Sequence, residues 1–139
     1  MGPIDDPAAL AVVEWLSPQA GGRRSGLPWW PYAADCEFLR EDMRHHPGRR
    51  EALGIYFTFG LEPVELISDT VWRVKMDYMM REFALPCLWE GRQMVIREGP
   101  RVVAVAVITE VLVEMGRKED TTKRAEIRRT ACRTVLKGD

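Results

Sequence analysis

Asparagine is absent from all 139 positions. That excludes N-glycosylation sequons and any chemistry that depends on an asparagine side-chain amide. Histidine is scarce: His45 and His46 are the two in the chain, adjacent to each other beside Asp42 and Glu51. Neighbouring side chains in an extended connection diverge and no His-x3-His pattern exists, so this reads as a solvated loop rather than a metal or acid–base centre. Three cysteines, Cys36, Cys87 and Cys132, are odd in number and 51 and 45 residues apart, which fits neither a disulfide framework nor metal-ligand spacing. None of the three serines, Ser17, Ser25 and Ser68, sits in a Gly-x-Ser-x-Gly elbow, and nothing near Cys36 or Cys87 supplies an activating base. Charge of one sign is also missing, since 20 Lys and Arg face 21 Asp and Glu for a net charge of -1. No overall field draws the chain to nucleic acid or to an anionic membrane, and any such binding must come from a local patch. No apolar run reaches the length that crosses a bilayer, and the start, Met1-Gly2-Pro3-Ile4-Asp5-Asp6-Pro7, is acidic and prolyl where a secretory signal is basic and then apolar. The expectation is a cytosolic protein with no membrane partner.

What is present is ordinary globular material, 46% hydrophobic and 29% charged, at a length that suits a single core. Residues 1–9 read as a flexible tail. Ala11 to Leu16 is a first strand stopped by Ser17-Pro18, and Ala20-Gly21-Gly22-Arg23-Arg24-Ser25-Gly26-Leu27-Pro28 is a long loop. Extended structure resumes over Tyr32 to Leu39. Glu41 to Arg50, interrupted by Pro47-Gly48, is a surface connection that leads to the aromatic strand Gly54 to Phe59. From Val71 to Met80, Trp72, Val74, Met76, Tyr78 and Met80 share one face while Arg73, Lys75 and Asp77 share the other, the period of a half-buried strand. Leu88 to Gly91 reads as a turn, Gln93 to Arg97 as a strand, and Glu98-Gly99-Pro100-Arg101 as a second turn. Val102 to Ile108, seven apolar residues, suits a strand buried on both sides.

Strands joined by turns predict an all-β fold: one closed barrel of about six antiparallel strands over residues 10–116. The last stretch, 117–139, breaks the pattern. Glu119-Asp120-Thr121-Thr122 offers a cap with acids near a helix start, and the segment from Lys123 to Lys137 predicts a C-terminal helix. Charge is segregated, with +4 on residues 117–139 and -5 on residues 1–116. Lys123, Arg124, Arg128 and Arg129 are candidate phosphate contacts, although Ile127, Ala131 and Val135 favour a helix docked on the barrel. Trp29-Trp30-Pro31-Tyr32, just after Arg23-Arg24, places aromatics beside arginine, a pairing that stacks on bases or anchors a protein partner, or else covers one end of the barrel. The candidate binding set is Arg23, Arg24, Trp29, Trp30, Tyr32, Arg97 and Arg101, with no catalytic, metal or cofactor-binding residue.

Two stretches also carry a resemblance. Met94-Val95-Ile96-Arg97-Glu98-Gly99-Pro100-Arg101, the apolar run Val102 to Ile108 and Thr109-Glu110-Val111-Leu112 resemble the closing hairpin of the C-terminal β-barrel domain of elongation factor Tu. Val13-Glu14-Trp15-Leu16-Ser17-Pro18-Gln19-Ala20-Gly21-Gly22-Arg23 is similar, in the right order, to that family's first strand followed by Glu-Glu-Gly-Gly-Arg. The resemblance covers roughly 10–39 and 71–114. It departs where the family's Gly-Tyr-Arg-Pro-Gln-Phe is here Trp29-Trp30-Pro31-Tyr32-Ala33-Ala34, and where Pro100 replaces the second glycine of the closing turn. Gly22 and Gly99 are expected to supply turn conformations, with Arg23 and Arg101 pairing with nearby carboxylates or anions. No motor accompanies the barrel: Gly21 and Gly26 have the outer spacing of a phosphate loop, but Leu27-Pro28 stands where Lys-Ser/Thr is required, and without asparagine the guanine-reading Asn-Lys-x-Asp cannot occur. The resemblance implies a non-enzymatic, bacterial, cytoplasmic binding module for RNA or a translation-related protein. The alternative is an accessory or immunity-type protein that grips another protein through the barrel surface without nucleic acid. An exposed strand edge or the Trp pair offers a route to a homodimer.

Overall fold

The computed structural model describes residues 4–24, 26–28, 31–39 and 56–113. Six strands close into one antiparallel barrel: β1 (Ala9–Trp15), β2 (Tyr32–Phe38), β3 (Phe57–Leu66), β4 (Val71–Tyr78), β5 (Gln93–Glu98) and β6 (Arg101–Val111), in the spatial order β1-β4-β3-β2-β5-β6 with β6 returning to β1. A short helix, α1 (Arg81–Ala84), and a 3-10 turn over Leu85–Cys87 lead from β4 towards β5. The all-β barrel expected from the sequence is therefore the fold. The expected C-terminal helix, with Lys123, Arg124, Arg128 and Arg129, lies outside the described residues, as do His45 and His46. Each strand has two neighbours, so the strand edge considered for self-association does not exist among the described strands.

The core follows from alternation. Ala9, Ala11, Val13 and Trp15 of β1 point inward, as do Trp72, Val74, Met76 and Tyr78 of β4. Small residues face large ones across the β1–β6 seam, Ala11 opposite Ile108, Val13 opposite Ala106 and Trp15 opposite Ala104, which lets the wall stay close-packed around bulky side chains. The aromatics interlock edge to face: Trp15 meets Tyr32 at 5.4 Å and Trp72 at 5.1 Å between ring centroids, and Phe38 meets Phe57 at 5.5 Å.

Four differences from the sequence reading have physical causes. The start of the chain packs from Ile4 onward: Ile4 and Ala8 are buried, Ile4 N–H donates to Glu62 Oε2 at 3.0 Å, and Ala8 joins the core, so the described part of 1–9 is not a free tail. β3 runs on to Leu66 through Pro63, because beyond Leu61 it pairs with β4 alone and a register shift between Pro63 and Glu65 absorbs the missing N–H. Met80 leaves the inward face of β4, since the strand ends at Tyr78 and the chain turns into α1. β6 is not buried on both sides, because a closed barrel has one interior: Val103, Ala104, Ala106 and Ile108 are buried, while Val107 faces out.

Candidate functional site

The strand directions gather three connections at one end of the barrel: the loop after β1, the β3–β4 turn and the β5–β6 turn. Trp15 N–H donates to Thr70 O at 2.8 Å and Leu16 N–H to Val103 O at 2.9 Å, which fixes where the loop leaves the wall. A single 3-10 turn, Pro18–Ala20, follows, capped by the Ser17 hydroxyl, which accepts from Ala20 N–H at 3.2 Å. The chain then turns through Gly21 at φ +95° and comes back under Leu16 at Gly22. Here the expectation changes in detail. Gly99 does supply a left-handed turn residue, at φ +61°, but Gly22 is required for close approach, because a Cβ there would stand 2.0 Å from the Leu16 carbonyl oxygen.

This close return delivers Arg23 to the β5–β6 turn, 75 residues away in sequence. Its Nη1 donates to Glu98 Oε2, its Nε donates to Gly26 O at 2.9 Å, and its guanidinium lies 5.7 Å from the Tyr32 ring centroid. The Tyr32 hydroxyl donates to the same Glu98 oxygen at 2.6 Å. Burial, followed by the hydrogen bond and the negative charge of Glu98, pushes the Tyr32 phenol well above its ordinary range, so it remains a neutral donor. Arg23, Tyr32 and Glu98 thus form one bonded cluster that ties the loop after β1, β2 and the closing turn together. Arg23 meets a carboxylate as the sequence suggested, and Tyr32 is a buried part of the barrel end rather than an open stacking surface.

The remaining candidates divide. Arg24, next to Arg23, and Arg101, opposite Glu98 across the closing turn, are both exposed at this end. Trp29 and Trp30 lie outside the described residues. Arg97 takes a different place from its expected partner-contact role, with 5% of its surface exposed. On the outer face of β5 it donates to Glu37 Oε1 of β2 through Nε at 3.0 Å and Nη2 at 2.8 Å, and through Nη1 to Pro100 O at 3.3 Å. Glu37 is itself wholly buried. Two charges removed from water on adjacent strands satisfy each other, and that commits Arg97 to the wall.

Sequence reasoning missed Glu37 and Arg92 altogether. The Arg92 guanidinium sits 4.1 Å from the Trp89 ring centroid and 5.1 Å from that of Phe38, at the end of the barrel opposite the Arg23 cluster. No pattern in the sequence marks either residue, because alternation assigns Glu37 to the outer face and says nothing of what covers it. Burial pushes the Cys36 thiol up, which keeps it protonated and inert. Among the described residues no group of His, Cys, Asp and Glu is arranged to hold a metal ion, and no helix is long and apolar enough to cross a membrane. No protein-family model and no curated protein sequence matches the chain.

Proposed function

We propose that the chain is a non-enzymatic binding module, similar to the C-terminal barrel of elongation factor Tu, that recognises RNA or a translation-related protein with the barrel end built around Arg23. One observation carries the reading: the two stretches that resemble that family, ending in Gly21-Gly22-Arg23 and in Glu98 to Arg101, meet through the Arg23–Glu98 ion pair. The pair fixes the backbone there and leaves Arg24 and Arg101 exposed as contact groups. Trp29 and Trp30, close after Arg24 in the sequence, are the proposed base-stacking or anchoring residues. The reading takes the protein to be cytosolic, where a thiol such as that of Cys36 stays reduced.

The test is retention of bulk cellular RNA at two salt concentrations, with affinity capture of proteins from lysate alongside. RNA binding that falls steeply with salt and weakens in the Arg24→Ala/Arg101→Ala double variant supports the reading. Retention unaffected by both changes, with the fold intact by circular dichroism, rejects the assignment of these arginines.

A second reading, the accessory or immunity-type protein that grips another protein, is favoured by a different surface. Met79, Met80 and Phe83 are 67%, 51% and 50% exposed at the opposite end of the barrel, a cluster of large apolar side chains beside α1. It implies a captured protein whose retention depends little on salt and is lost in Met80→Asp/Phe83→Asp.

A further inference from the structure

The chain leaves β6 at the barrel end opposite the Arg23 cluster, beside an exposed apolar surface. Leu112 N–H donates to Ala8 O and Ala8 N–H to Met76 O, both at 2.9 Å. These bonds set the end of β6 two strand spacings, about 10 Å, from the end of β4. Met79, Met80 and Phe83 follow β4 directly, and Leu112 is exposed as well. Val113, the last described residue, packs against the core and so fixes the point from which the chain continues. The same end is acidic: Asp5, Asp6, Glu82 and Glu110 are exposed, while Arg81 there is already held by Asp77 and Asp6.

The sequence from Lys123 to Lys137 has the complementary composition. In a helix, Ile127, Ala131 and Val135 recur at intervals of four, and Arg124 and Arg128 share that face, three residues before Ile127 and Ala131. A face that mixes apolar residues with arginine suits an apolar surface beside carboxylates, since the long stems lie along apolar area while the heads reach charge at its edge. Six cations against the single acid Glu126 give the stretch the sign opposite to that of the barrel end. A helix of about fifteen residues is marginal in water on its own and owes its stability to the face it packs on. Residues 114–122 reach at most about 30 Å, ample to bring it back, and such a tether supplies the segment at millimolar effective concentration.

We propose that the occupant of this surface is the chain's own C-terminal segment: residues 123–137 lie as a helix across Met79, Met80, Phe83 and Leu112, with Ile127, Ala131 and Val135 on the apolar side chains and Arg124 and Arg128 towards the carboxylates. A foreign protein then reaches the patch only by displacing that helix. The contact uses neither Arg24 nor Arg101, so it stands apart from the RNA reading.

The experiment reads the full chain from both sides of the contact. Hydrogen exchange over 123–137 is expected to be about 10-fold slower or more than in the isolated peptide of that sequence. Met80→Asp/Phe83→Asp, which leaves the segment itself untouched, should return it to the peptide's rate. Dilute hydrogen peroxide reads the other side: Met79 and Met80 should oxidise several-fold faster in Ile127→Asp/Val135→Asp than in the parent, because the covering side chains are gone. Exchange in the strand peptides verifies that the barrel is folded in each variant, and a dilution series tests whether the contact lies within one chain. The inference is overturned if 123–137 exchanges like the free peptide, or if its protection survives Met80→Asp/Phe83→Asp. It is overturned equally if protection fades on dilution, which assigns the patch to a second copy. Equal oxidation of the two thioethers in parent and Ile127→Asp/Val135→Asp also rejects it, and leaves the surface open to a foreign partner. RNA retention by the Arg24→Ala/Arg101→Ala variant is a separate measurement, so the two readings fail independently.

Discussion

Replacing Gly22 by alanine tests the account of how the barrel end is assembled. A β-carbon at this position would lie 2.0 Å from the Leu16 carbonyl oxygen, 2.6 Å from the Leu16 carbonyl carbon and 2.9 Å from the Ser17 carbonyl oxygen. All three are backbone atoms, so no side chain can swing away, and the Leu16–Ser17 peptide or the returning loop must move by more than 1 Å to reach ordinary contact near 3.4 Å. That shift acts on the hydrogen bonds holding the same peptides: Gly22 N–H to Ser17 O at 2.8 Å, Gly21 N–H to Pro18 O at 3.2 Å and Leu16 N–H to Val103 O at 2.9 Å. Leaving two of them unmade costs about 1–3 kcal/mol each where the groups are buried, and loosening the Arg23–Glu98 contact adds roughly 0.5–1 kcal/mol for a half-exposed pair. The expected loss is about 2.5–7 kcal/mol, a large part of the stability of a domain of this size. Urea denaturation followed by tryptophan fluorescence measures it, as a lowered midpoint with an unchanged slope. Gly21→Ala is the internal control: at φ +95° with open space around it, it should cost only about 1–2 kcal/mol for the left-handed backbone. If Gly22→Ala proves no worse than Gly21→Ala, close approach is not what requires a glycine there.

Two further outcomes follow from buried groups. Arg97→Ala, which removes the two guanidinium hydrogen bonds to buried Glu37 on the outer wall, should destabilise by about 3–5 kcal/mol, whereas Glu37→Leu with Arg97→Met should fall within about 1–2 kcal/mol of the parent; chemical denaturation of the three proteins checks both. Tyr32, Cys36 and Tyr78 are acids whose folded pKa values are raised chiefly by burial, so folding favours their neutral forms. Their contribution is complete below the unfolded-chain values near 9 for the thiol and 10 for the phenols, and is lost as pH climbs from there towards the folded values. Thermal melts should therefore be flat in this respect to about pH 8 and then fall, steepening above pH 10 towards about 1.4 kcal/mol per pH unit for each group, and Cys36→Ala should flatten the first part of that descent.

The barrel was legible because its strands announce themselves by period. Trp72, Val74, Met76 and Tyr78 alternate with charged residues, and the turn residues around Gly21, Gly22 and Gly99 mark where the chain reverses. Features that depend on what lies across the sheet were not legible. The strand expected to end at Phe59 runs on through Pro63 because β3 pairs on one side there, and Ile4 reads as tail until Glu62 is found to accept from its N–H. The site shows the same division. Arg23 pairing with a carboxylate was inferable from the glycine-rich turn, but its partner, Glu98, is fixed by topology. Arg97 looked like a surface cation because alternation assigns it outward; its burial against Glu37 belongs to the tertiary structure. The buried indole N–H of Trp15, without a hydrogen-bond partner among the described residues, leaves no trace in sequence at all.

The ring order carries a consequence for how the chain reaches its native state. β1, the first strand to be synthesised, is hydrogen-bonded on one side to β4 and on the other to β6, the last of the six. During translation it has no native neighbour until β4 emerges, and the cylinder cannot shut until some ninety residues after β1 have left the ribosome. A topology so dominated by distant pairings folds slowly and exposes half-zipped strands while it waits. The bulge opposite Leu10 and Ala11, where Thr109 is the extra residue in β6, breaks the regularity of the β1–β6 ribbon, the last to close, and so disfavours its pairing with another nascent copy of itself.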